Sequence, residues 1–133
     1  MVKFGYTINY VNNVDDTLSF FENAFEMKRR FITDENDYGE LDTGGTVLAF
    51  ASHELGSTNF TGGYVSSSES DKPLGIEIAL VTDDVNSIHK NAMLYGALEL
   101  KAPEIKPWGQ TVSYIRCPAG ILIELCTAIQ GEL

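Results

Sequence analysis

The chain has 133 residues, 44% of them apolar and 21% charged, which suffices to bury one sizeable core and excludes a disordered or low-complexity segment. Nine basic residues stand against 19 acidic ones, a net charge of −10, and this excludes a nucleic-acid binder because phosphate contacts need a basic surface. The same charge favours solubility and, among ligands, cations over anions.

No apolar run approaches the length of a membrane span. The opening Met1-Val-Lys-Phe-Gly-Tyr lacks the basic-then-apolar order of a signal peptide, and Asn9, Asn12 and Asn13 soon interrupt it. A cytoplasmic protein with no membrane partner is expected. Cys117 and Cys126 form no C-x-x-C pair, so reduced thiols are expected, with Cys126 a small core residue in an apolar strand.

In chain order, Phe4 to Val11 alternates as a strand, with Tyr6, Ile8 and Tyr10 on one face. Asp15 or Asp16 offers an N-cap to a helix whose stripe is Leu18, Phe21, Ala24 and Phe25. Strands are expected at Lys28–Thr33, Asp37–Leu41 and Thr46–Ala51, the last two joined through Asp42-Thr-Gly-Gly as a hairpin. The stretch 53–74 is rich in Ser, Gly, Thr and Asn and reads as a connection, although Phe60 and Tyr64 suit a lid or pocket wall. Then come a strand at Gly75–Val81, an N-cap at Asp83 or Asp84, and a helical stripe of Val85, Ile88, Ala92 and Tyr95 ended by Gly96. Strands follow near Leu98–Lys101, Gln110–Arg116 and Ile121–Thr127.

The order β-α-β-β-β thus occurs twice, in unit one (1–52) and unit two (75–133), and the two units align as imperfect copies. Tyr6 to Val14 matches Glu77 to Val85 at an offset of 71, and Asp42 to Ser52 matches Cys117 to Thr127 at an offset of 75. Tyr6 therefore falls on Glu77 and Ala49 on Glu124. Each unit alone would leave one apolar sheet face wet, so an α+β domain in which the two units share a core is expected.

The run Pro107-Trp-Gly-Gln-Thr-Val-Ser-Tyr-Ile-Arg116, followed by Cys-Pro-Ala-Gly120 and Ile-Leu-Ile-Glu-Leu125, resembles the glyoxalase/bleomycin-resistance/extradiol-dioxygenase family, the vicinal oxygen chelate proteins. The resemblance covers nearly the whole chain and is nearest to the bleomycin-resistance members. It implies tandem β-α-β-β-β units with curled sheets, a ligand cavity and commonly a homodimer. In metal-dependent members, the ligands would fall here on Tyr6, Ala49, Glu77 and Glu124.

That set is short of donors. A divalent ion wants three or four nitrogen or oxygen ligands; alanine offers none, and a neutral phenol is a poor one. The dioxygenase branch needs two histidines and a carboxylate, and neither His53 nor His89 occupies a ligand position. His89 is expected at the surface and His53 facing solvent. Glu124 shares a face with Leu122 and Cys126. Together with Glu77 it reads either as a hydrogen-bonded carboxylate retained from the family or as a partly buried pair that binds a cation or acts as general base. Trp108 in its Pro-Trp-Gly turn reads either as an aromatic face at a cavity mouth or as a packing plug. Tyr6, Ile8, Tyr10, Phe50 and Tyr114 are expected to line the pocket beside it. Arg116 is expected in an internal ion pair, and no Ser-His-Asp arrangement is evident.

Two functions follow as expectations. The first is a cytoplasmic binding protein that holds a small organic molecule, such as a cationic or aromatic antibiotic, without cofactor or metal. The alternative is a glyoxalase-type lyase, isomerase or thiol transferase with a divalent metal on Glu77 and Glu124. A cofactorless enzyme using one glutamate as base is a third.

Overall fold

In a computed structural model describing residues 1–129, the first unit runs β1 (Tyr6–Val11), α1 (Val14–Phe25), β2 (Arg29–Ile32), β3 (Tyr38–Leu41) and β4 (Val47–Ser52). A one-turn helix, α2 (His53–Gly56), follows. The second unit runs β5 (Glu77–Val81), α3 (Val85–Leu94), β6 (Leu98–Ile105), β7 (Thr111–Arg116) and β8 (Leu122–Cys126). Positions 130–133, assigned to unit two from the sequence, lie outside the described residues.

Each unit forms a four-stranded mixed sheet, in the order β1-β4-β3-β2 and β5-β8-β7-β6. The first and last strands of a unit run parallel, which the intervening helix makes sterically possible. The pairing register repeats between the units: Tyr6 lies opposite Val47 and Ile8 opposite Ala49, as Glu77 lies opposite Leu122 and Ala79 opposite Glu124. The two sequence offsets are therefore one structural alignment.

Strand alternation divides each sheet into a helix face and an open face. Leu48 and Phe50 of β4 meet Leu18, Phe21 and Ala24 of α1, while Ile115, Ile123 and Leu125 meet Val85 and Ala92 of α3. These residues form one continuous core across both units. The helices pack on each other, and the Asn91 amide donates to the carbonyls of Asn23 (2.9 Å) and Ala24 (3.0 Å), satisfying acceptors that the end of α1 leaves free.

Several expectations need correction. The cap of α1 is Asn13, whose side chain accepts from Asp16 N at 2.8 Å; Asp15 and Asp16 lie inside the first turn, where acids still suit the helix dipole. For α3 the cap is Asp84. Phe25 is half-buried, and Tyr95 is 48% exposed and adds nothing to the core stripe. His89 takes its place there, at 4% exposure. β6 runs past Lys101 to Ile105 through Pro103, tolerated because β6 is an edge strand with register shifts along its length. No helix among the described residues is long and apolar enough to cross a membrane.

Candidate functional site

The open face of unit two gathers acids and a phenol. Ala79, Glu124, Tyr114 and Lys101 lie side by side on one rung across β5, β8, β7 and β6, with Glu77 two residues before Ala79 on the same face. Tyr114 donates its hydroxyl to Glu124 Oε1 at 3.0 Å. Glu77 and Glu124 come within hydrogen-bonding reach, and the Glu77 carboxyl is pushed up first by desolvation, then by the hydrogen bond to Glu124 and that group's charge. Burial and the neighbouring Glu124 push the Tyr114 phenol up to about 12 and the Cys126 thiol up to about 11. All three shifts favour the neutral form, so the pair holds a proton more readily than two separate glutamates would.

A divalent ion does not suit this arrangement. Among the described residues no three His, Cys, Asp or Glu side chains converge, and the phenol and thiol beside Glu124 resist the deprotonation that ligation requires. Ala49, at the unit-one position matching Glu124, supplies no donor atom.

The open face of unit one holds a carboxylate that the sequence reading overlooked. Its matching rung is Ile8, Ala49, Glu40 and Phe31, so Glu40 occupies the place of Tyr114. Glu40 is 6% exposed; Tyr38 donates to its Oε2 at 2.7 Å, and Arg30 Nη1 stands 3.7 Å from its Oε1. Burial and the bond to Glu40 raise the Tyr38 phenol well above its ordinary value. The detectable signal was period-two spacing, because Tyr38-Gly-Glu40 in a strand must put phenol and acid on one face.

The remaining candidates divide. Tyr6 and Ile8 lie on this same open face, 60% and 45% exposed. Tyr10 shares it but is claimed by the connection: Tyr64 packs on its ring at 4.8 Å, and Asn59 donates to its hydroxyl at 2.9 Å. Phe50 is fully buried on the helix face against Phe21, so it lines no open pocket. Trp108 is 65% exposed on the β6–β7 turn and donates to Gln110 at 2.9 Å, which rules out the packing plug. His53 does not simply face solvent; its Nδ1 meets Tyr64 Oη at 2.6 Å and its Nε2 meets Ser66 Oγ at 3.2 Å.

Two further expectations fail. Among the described residues Arg116 makes no ion pair; its guanidinium donates to the carbonyls of Gly120, Ser67, Ser70 and Asp71 and so holds the connection against unit two. A Ser-His-acid chain does exist: His89 Nδ1 lies 2.9 Å from Ser113 Oγ, and its Nε2 lies 2.8 Å from Glu99 Oε2. Ser113 is fully buried on the helix face, beyond the reach of any substrate, so the chain ties α3 to β7 and β6.

The family model described as the Glyoxalase/Bleomycin resistance protein/Dioxygenase superfamily matches residues 3–125. Among solved structures, the chain superposes on a glyoxalase-related enzyme from Fulvimarina pelagi with a TM-score of 0.80 and 16% identity, covering 96% of this chain and 89% of that one. TioX from Micromonospora sp. ML1 gives 0.69 and 16%, covering 95% and 98%. A glyoxalase/bleomycin resistance protein/dioxygenase from Nocardioides gives 0.71 and 12%, covering 98% and 86%. At these identities the likeness is one of fold. No curated protein matches the chain by sequence. With its family model spanning both units and its fold shared with these neighbours, the chain belongs to the glyoxalase/bleomycin-resistance/dioxygenase superfamily.

Proposed function

We propose that the chain binds a small organic molecule, cationic or aromatic, on its open sheet faces without a metal. The observation that carries this reading is the Glu77–Glu124 pair, close enough to share a proton and backed by Tyr114, with no cluster of three His, Cys, Asp or Glu side chains there among the described residues. Such a pair accepts N–H donors and favours a ligand that brings its own positive charge. Exposed Tyr6, Ile8 and Val81 on the open faces suit an apolar ligand body and, in part, cover by a second copy in a homodimer.

Trp108, the single tryptophan, provides the signal for an equilibrium titration with cationic antibiotics, glycopeptides included. Saturable binding weakened in Glu124→Gln is expected; no binding across the panel overturns the reading. Stabilisation by zinc, nickel, manganese or cobalt would instead favour the glyoxalase-type metal enzyme. A second metal-free reading, acid–base catalysis, draws on the raised Glu77 carboxyl. A turnover whose pH profile moves in Glu77→Gln would distinguish it from passive binding.

A further inference from the structure

The open face of unit one carries a carboxylate with unused bonding capacity. A carboxylate accepts about four hydrogen bonds, and Glu40, though 6% exposed, accepts only one from a side chain among the described residues, at Oε2 from Tyr38. Among the described residues its Oε1 accepts no hydrogen bond, and Arg30 Nη1 stands 3.7 Å away, beyond one. That oxygen is not sealed in the interior either, because the one enclosed and unsatisfied side-chain atom among the described residues is Arg29 Nε.

The surroundings fit an organic cation. Arg30 is 57% exposed along its side chain and can swing aside. Ile8 and Ala49 share the Glu40 rung, and Tyr6 lies two residues before Ile8 on the same face, near enough to Tyr38 for its charge to be felt there. Exposed Tyr6 and Ile8 thus place an aromatic and an apolar side chain on the face that carries Glu40.

We propose that Glu40 is a second ligand anchor, separate from the Glu77–Glu124 pair, that accepts an N–H from the amidinium, guanidinium or ammonium group of an aromatic ligand lying on Tyr6 and Ile8. Tyr38 fixes the carboxylate by its other oxygen. Arg30 acts as a resident cation that the ligand displaces. The inference rests on the small-molecule-binding reading, but it concerns residues on the other sheet, so either can fail alone.

Calorimetric titration with benzamidinium, its neutral near-isostere benzamide, and benzoate tests this at low salt. Wild type is expected to prefer benzamidinium over benzamide by about tenfold, the scale of one charge-assisted hydrogen bond. In a Glu77→Gln/Glu124→Gln background, which removes the other cation site, the preference persists, Glu40→Gln abolishes it and Arg30→Ala strengthens it several-fold. No preference in wild type, its absence from that background, its persistence there after Glu40→Gln, or a preference for benzoate overturns the proposal. Should Glu40→Gln fail to fold by circular dichroism, Arg30→Ala decides: tighter benzamidinium binding supports the anchor, and unchanged or weaker binding overturns it. Failure here leaves the antibiotic titration and its Glu124→Gln control to judge the broader reading.

Discussion

Glu40 stands directly across from Ala49 in the β3–β4 ladder, on the rung where unit two sets Tyr114 across from Glu124. Each unit thus keeps one phenol-bonded carboxylate on its open face, but on different strands: β3 in unit one and β8 in unit two. The rung is common to both units, and the acid on it lies one strand apart between them. The absence of a donor at Ala49 therefore does not leave the open face of unit one without an acid.

The Glu77–Glu124 pair predicts a pH dependence of stability. The folded Glu77 carboxyl lies above its ordinary value of 4.5, so between those two values the native state holds more proton than the unfolded chain. Stability from this group is fully present below the ordinary value and falls as pH rises through the folded one. Urea midpoints measured from pH 4 to 8 should fall less steeply in Glu77→Gln than in wild type. Identical slopes would show that the two carboxyls do not interact in solution.

The His89 chain predicts a structural role rather than a catalytic one. His89→Ala removes two hydrogen bonds, opens a cavity and strands Ser113, costing about 2–4 kcal/mol in urea unfolding. Ser113→Ala should cost about 1–2 kcal/mol. A fluorophosphonate should leave native Ser113 unlabelled, since the residue is fully buried; labelling would make it a nucleophile.

Both thiols should be inert in the native state. Cys117 and Cys126 are free and buried, and desolvation is the leading reason that each thiol is raised. A disulfide reagent at neutral pH should react with neither until denaturant is added. Rapid reaction of one thiol would mean that its strand opens locally.

Periodicity made much of the fold legible, and its misuse explains the errors. The doubled β-α-β-β-β order and both offsets follow from alternation and helical spacing, and the pairing register reproduces them. The same alternation shows that Phe50, adjacent to Ala49, cannot share the open face with it. Likewise, position 89 completes the i, i+4, i+7 stripe of Val85 and Ala92, so the helical period itself marks His89 for burial. The bonds of Arg116 were not legible, because its acceptors are backbone carbonyls brought near only by the path of the connection.

That path gives the last prediction. The 53–74 connection is tied to unit one through Tyr64 on Tyr10 and His53, and to unit two through Arg116 on Ser67, Ser70 and Asp71. Gly120 completes the second tie: its φ is +87°, and a Cβ there would collide with the Ser67 backbone. Arg116→Ala should therefore free the connection and strand partly buried carbonyls, lowering stability by about 1–3 kcal/mol. Gly120→Ala should cost more, because strain is added to the clash. Limited proteolysis should cut between residues 57 and 74 faster in both variants than in wild type, with fragments read by mass spectrometry. Unchanged cleavage in Arg116→Ala would show that the guanidinium does not restrain the connection.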